Sequence, residues 1–106
     1  MPNLNRVFAA LSDETRRAIV ARLSLGETPL SDLAEPFDMS LTAVSKHVRV
    51  LSDAGLVSVR KRGRTRYCHL EAAPMKDAVD WLDNYRAFWE GQLDSLARYL
   101  NEEELK

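Results

Sequence analysis

A single cysteine, Cys68, and two histidines, His47 and His69, are the whole supply of thiol and imidazole in 106 residues. One cysteine excludes a disulfide within the chain, and these three side chains form no recognisable metal-ligand spacing. There is no Gly-rich phosphate loop, no Ser/His/Asp set and no metal-hydrolase motif, so an enzyme is not expected. No run of about 18 apolar residues is present to cross a membrane. The first residues also lack the basic-then-apolar signature of a secretory signal. A cytoplasmic protein with no membrane association and no cofactor is the expectation. A length of 106 residues suits one domain, 1–106, and a 45% hydrophobic share supports a real core.

The net charge of −1 conceals an uneven distribution. Residues 40–70 hold seven Lys/Arg against one acid, Asp53, whereas 1–39 hold four against six and 71–106 four against nine. The middle third is therefore a basic island in an acidic chain, the electrostatic footprint of nucleic-acid binding confined to one face.

That island has an internal order. Ser40 is placed to cap a helix in which Val44, His47, Val48 and Leu51 fall on one side at about 100° per residue. Thr42, Ser45, Lys46 and Arg49 fall on the other side, the one left to meet a partner. Gly55 ends the helix, and two short β-like runs follow within Leu56–Leu70, joined at Arg62-Gly63-Arg64. A polar-faced recognition helix region at 39–55 and an arginine-tipped wing at 56–71 suit a DNA groove and its flanking phosphates. The fold class expected is mainly α with a small β-hairpin, a winged helix-turn-helix.

The rest of the chain supplies the frame. Asn3–Leu11 shows the spacing of an amphipathic helix in Leu4, Val7, Phe8 and Leu11. Ser12 is the expected N-cap of a second helix running to about Ser24, with Ala18, Ile19 and Leu23 inward and Gly26 beyond its end. Arg16 and Arg17 read most simply as solvated charges. Leu30–Glu35 reads as a short third helix stopped by Pro36, with Phe37 and Met39 as core anchors beneath the turn. A final helix is expected over 74–101, with 101–106 frayed. Its seam of Ala78, Leu82, Tyr85, Trp89, Leu93, Leu96 and Leu100 is nearly heptad-regular and is widened by Trp81, Phe88 and Tyr99. A domain this small cannot bury so wide a stripe alone, so a homodimer through the first and last helices is expected. The interface would draw on Leu4, Val7, Phe8, Leu82, Tyr85, Trp89, Leu93 and Leu96.

The segments FAALSDETRRAIVARLSLGE and MSLTAVSKHVRVLSDAGLVSVRKRGRTRYCHL resemble the ArsR/SmtB family of bacterial winged-helix transcriptional repressors. The likeness covers approximately residues 4–100, and VSKHVRVLSDAGLV with the Arg-rich hairpin is its most specific part. The resemblance implies a dimer that binds imperfect inverted repeats in promoters. Carried over by position, it implies a recognition helix offering Ser40, Thr42, Ser45, Lys46, His47 and Arg49. His47 lies toward the buried seam, which favours packing or a phosphate contact over base readout. In the wing, Arg62 and Arg64 are placed for a minor groove, and Arg60, Lys61 and Arg66 for phosphates. Leu41 stands where many relatives carry Gln, so an operator sequence cannot be borrowed from them.

Many relatives respond to metals, but neither of the family's two sites has its ligands here. The segment Thr28–Ala34 contains no Cys or His, and Met75–Leu100 contains no His. No metal is expected, and Cys68 reads as packing. The aromatic residues of the last helix favour dimer core over a small-molecule pocket, with an unidentified inducer left open. The expected function is a homodimeric repressor occluding an inverted-repeat promoter site on double-stranded DNA. The alternatives are a winged-helix protein-interaction module, which would not need five Lys/Arg within Arg60–Arg66, and a non-specific architectural DNA binder.

Overall fold

In the computed structural model, which describes residues 4–104, six helices and a three-stranded antiparallel sheet form the winged-helix arrangement. Helix α1, Leu4–Leu11, buries Val7 and Ala10; Asn3, expected to open it, lies outside the described residues. Ser12 does not cap the next helix. Its hydroxyl turns back and donates to Ala9 O at 2.6 Å, satisfying a carbonyl at the end of α1. The cap of α2, Glu14–Leu23, is instead Asp13, whose carboxylate accepts from Arg16 N at 3.0 Å. Ile19 and Leu23 of α2 are buried, but Ala18 is exposed rather than inward.

Strand β1, Thr28–Pro29, leads directly into α3, Leu30–Ala34. Helix α4, Leu41–Asp53, starts where the Ser40 hydroxyl accepts from Ala43 N at 3.1 Å. It ends in a Schellman motif: Gly55 N–H donates to Ser52 O and Leu56 N–H to Leu51 O, with Gly55 at φ 79°. Strands β2, Val57–Arg62, and β3, Thr65–Leu70, form the expected hairpin. Gly63, at φ 63°, is the first of its two turn residues, where a type II′ turn needs a positive φ.

The sheet has one strand that the sequence pattern did not show. Thr28 pairs with Cys68 and Pro29 with Tyr67, giving the order β1-β3-β2. Pro29 fits there because an edge strand can spare one N–H. This pairing brings the β1–α3 corner beside the wing. The core beneath it comprises Val7, Ile19, Leu33, Val44, Leu51, Leu56 and Cys68, all fully buried, with Phe37 and Met39 packed at its margin as expected.

The single helix expected over 74–101 is two. Helix α5, Ala72–Asp83, and helix α6, Arg86–Glu104, are separated at Asn84–Tyr85. There the bonding contracts to i−3, with Asn84 N–H donating to Trp81 O and Tyr85 N–H to Leu82 O. Asn84 favours a helix end over an interior, and the Tyr85 ring packs 5.2 Å from Trp81. Helix α6 runs on to Glu104 through the segment expected to fray, of which residues 105–106 lie outside the described residues. None of its described side chains is buried. The Cα radius of gyration is 18.7 Å, against about 13 Å for a compact chain of this length. Helix α6 therefore projects from the body with its apolar seam uncovered.

Candidate nucleic-acid interface

The polar face of α4 and the tip of the wing enclose a concave surface of about 510 Å³. Thr42, Ser45, Lys46 and Arg49 line one side, and Arg64 and Arg66 the other. The side chains that the sequence separates by a strand and a turn thus meet in one groove. Among the described residues, Lys46, Arg49, Arg64 and Arg66 have no carboxylate within ion-pair distance, and no acid lines the groove. The groove is a cationic surface with hydroxyl donors between the charges, suited to phosphates and base edges.

Three further residues line it that the sequence reading missed: Leu30 and Ser31 of α3, and Thr65 of the wing. The signal for α3 was the unseen β1–β3 pairing, which sets the start of that helix against the hairpin. Leu41 is exposed at the groove's edge, where an apolar side chain can meet a thymine methyl. Ser40 sits just outside with its oxygen committed to the helix cap.

Arg60 and Lys61 are exposed on β2 but do not line the groove. Arg62 departs from its expected place at the tip. Its guanidinium lies 4.0 Å from the centre of the Tyr67 ring and is ion-paired with Glu27. The register explains this: Arg60 stands opposite Tyr67, so Arg62 lies diagonally across the same face and can reach over β3.

His47 also lies outside the groove. Its Nδ1 is 3.3 Å from an Arg16 guanidinium nitrogen and 3.8 Å from Asp13 Oδ2. Arg16 is not a solvated charge, because its Nε donates to Ala10 O at 2.6 Å and its Nη2 to Ala9 O at 3.1 Å. Arg17 donates similarly to Leu11 O at 2.8 Å. These arginines close the C-terminal end of α1, where unpaired carbonyls and the negative end of the dipole meet. The backbone N–H of Arg16 holds the Asp13 carboxyl below its usual range, aided by the charges of Arg16 and His47.

Cys68 is fully buried, and burial pushes its thiol above the usual range, away from the reactive thiolate. Among the described residues, no group of three or more His, Cys, Asp or Glu side chains could hold a metal ion. None of the described helices is long and apolar enough to cross a membrane.

At the other end of the molecule, Phe8 of α1 packs edge-on against Trp81 of α5 at 5.6 Å, and Trp81 against Tyr85. Leu82, Tyr85, Trp89, Leu93 and Leu96 are all exposed, and Leu4 is half-buried. Val7 differs: it is fully buried within the subunit and cannot meet a partner directly. Val7 and Phe8 share one apolar stripe on this short helix, and the subunit's own core fills the inner edge of it.

Residues 11–60 match the model of a family described as a helix-turn-helix domain. The chain is 34% identical over 82 residues to the transcriptional repressor SdpR of Bacillus subtilis, covering 77% of this chain and 91% of that protein. Its fold superposes on the crystal structure of an ArsR family transcriptional regulator with a TM-score of 0.75 and 44% identity, over 82% of this chain and 96% of the other. A homodimeric winged helix-turn-helix DNA-binding domain from Mycobacterium bovis, solved by NMR, gives a TM-score of 0.62 at 26% identity, covering 85% and 81%.

Proposed function

The chain belongs to the ArsR/SmtB family of winged helix-turn-helix transcriptional regulators, DNA-binding proteins and not enzymes, and on that premise we propose that it is a homodimeric repressor that occludes an inverted-repeat promoter site. The observation that carries the reading is the groove between α4 and the wing tip. Four cations with no acidic partner among the described residues surround Thr42 and Ser45 there. In the proposed complex α4 enters a major groove, with Ser45, Lys46 and Arg49 toward base edges and Thr42 and Ser40 toward the backbone. Arg64 reaches the adjacent minor groove, while Arg60, Lys61 and Arg66 meet phosphates.

Two copies would pair through the exposed face of α5 and α6 together with Phe8 and Leu4. Supporting this, SdpR is a repressor and the M. bovis domain is homodimeric. An inverted repeat follows from such pairing, because a two-fold protein places its recognition helices on symmetric half-sites. The release signal is proposed not to be a metal: the His47 Nδ1 is engaged by Arg16, and Cys68 is sealed in the core. An organic inducer would act at the hollow of about 470 Å³ lined by Leu4, Asn5, Phe8 and Trp81, where it would press on the helices that pair the copies.

Selection of bound fragments from the host's genomic DNA by the purified chain, at physiological salt, tests the reading. One or a few promoters sharing an inverted repeat are expected. Fragments without a shared site would replace it with non-specific architectural binding, whose affinity follows salt alone. Recovery of no fragments would favour a protein-interaction module, against which the cationic groove stands.

A further inference from the structure

We infer that Leu41, the first residue of α4, is a base-reading residue that takes the C5-methyl of a pyrimidine, thymine in ordinary DNA, in each half-site. The inference rests on the reading of α4 as the DNA-facing helix and adds an apolar contact to its polar ones. Leu41 lines the groove together with Thr42, Ser45, Lys46 and Arg49, and 52% of it is exposed to water. Around a helix of 3.6 residues per turn, Leu41, Ser45 and Arg49 follow one another at steps of about 40°. The leucine therefore continues the face that carries the hydroxyl and the charge. Its place at the helix start is fixed by Ser40, whose hydroxyl accepts from Ala43 N at 3.1 Å. In helix-turn-helix docking, the N-terminal residues of the recognition helix are the ones that meet base edges.

A second leucine lines the same groove from another element. Leu30 opens α3, which the pairing of β1 with β3 holds beside the wing, and it packs in part against the core. Two aliphatic side chains thus interrupt a lining otherwise made of hydroxyls and cations. The cations favour a polyanion, which narrows what Leu41 can meet there. Phosphates gain nothing from a leucine, nor do the hydrogen-bonding edges of guanine, cytosine and adenine. In the major groove of ordinary DNA, the C5-methyl of thymine is the apolar group on display. Covering it removes both the methyl and Leu41 from water. Ser45 stands about 6 Å further along the helix axis. At a rise of about 3.4 Å per base pair, the methyl then lies within about two pairs of the one that Ser45 reads.

Replacing thymine by uracil removes the methyl and keeps every hydrogen-bonding group of the base. On the genomic fragment bound most tightly, made as a synthetic duplex, each thymine is replaced in turn and affinity is measured by fluorescence anisotropy. One sensitive thymine is expected in each half-site, at symmetry-related positions. The loss should be about threefold to fivefold for one uracil and about tenfold or more for both. Leu41→Ala should weaken binding to the thymine duplex as much as both uracils do for the wild type, and uracil should then make no further difference. At either position, a 5-methylcytosine–guanine pair should bind better than the unmethylated pair, by about threefold to fivefold and only with Leu41 present. Half-exposed at the helix start, Leu41 can be shortened with the helical spectrum unchanged. Uracil sensitivity that persists in Leu41→Ala would assign the methyl to another side chain or to duplex stiffness, and would overturn the inference. So would the absence of any sensitive thymine. Lys46→Ala and Arg49→Ala separate the failures. If they weaken binding while uracil changes nothing, only the methyl contact has failed. If both bind as the wild type does, or if no fragment is recovered, the DNA-facing reading of α4 has failed and the inference falls with it.

Discussion

The Arg62 guanidinium stacks 4.0 Å from the centre of the Tyr67 ring, and Glu27 closes on it from the loop before β1. An exposed cation such as Arg62 over a ring contributes about 0.5–1 kcal/mol, and a surface ion pair contributes roughly 0–1 kcal/mol. Neither is strong, but both act in the same direction and draw the side chain across β3, away from the tip where Arg64 stands. A DNA phosphate offers the same charge as Glu27 and would compete for the same donors.

Glu27→Gln should therefore strengthen binding to any duplex at low salt. With Arg62 free to displace a counterion, the plot of log affinity against log salt should steepen by about one unit. Titrations of a fluorescent duplex from low to physiological salt measure both. Unchanged affinity and slope would show that Arg62 stays on Tyr67 in the complex and takes no phosphate.

The two sides of the groove should fail differently. Arg64→Ala should weaken binding to specific and scrambled fragments alike and lower the salt slope by about one. Ser45→Ala, which removes a hydroxyl from the proposed base-reading face, should narrow the preference for the specific fragment by about 0.5–1.5 kcal/mol and leave the slope unchanged. Competition of the two fragments against each variant measures this. A Ser45→Ala protein with full discrimination would remove that residue from base readout.

Much of this was legible in the chain, and the misses share a cause. The cap at Ser40, the stop at Gly55 and the turn at Gly63 are local chemistry, and each lies where its residue type predicts. The basic face of α4 follows from a 3.6-residue period. What the sequence did not reveal were relationships made by tertiary packing. Thr28–Pro29 is too short for a strand pattern, so α3 was not seen to approach the wing. Arg16 and Arg62 look solvated in a linear reading because nothing local marks the carbonyls of Ala9 and Ala10, or Glu27, as their partners. Ser12 and Asp13 both cap well, and the choice between them was set by the carbonyl of Ala9.

That choice has a pH signature. The Asp13 carboxyl titrates below its ordinary value because the Arg16 backbone N–H and then the nearby positive charges favour its ionised form. A group lowered in this way stabilises the fold above its unfolded value of about 3.9 and loses that contribution as pH falls through the lower folded value. Asp13→Asn keeps a capping oxygen without the titration. The variant should melt at a lower temperature than the wild type near neutral pH, with the two curves converging toward pH 2. Thermal unfolding followed by circular dichroism across that range checks it, and a constant gap at every pH would contradict the assignment.

The exposed seam on α5 and α6 gives the most decisive variant. Trp89 and Leu93 are 47% and 58% exposed in the single chain, and they lie where a second copy would cover them. An aspartate there meets water while the chain is alone, so its charge is solvated. In a pair it becomes a buried charge without a partner, at a cost of several kcal/mol. Trp89→Asp should therefore sediment as a 12.0 kDa monomer with an unchanged helical spectrum, whereas the wild type should sediment at twice that mass. Its affinity for an inverted repeat should fall toward that for a single half-site, because the two recognition helices no longer arrive together. A variant that remains dimeric would place the interface elsewhere and leave the apolar face of α6 without its proposed partner.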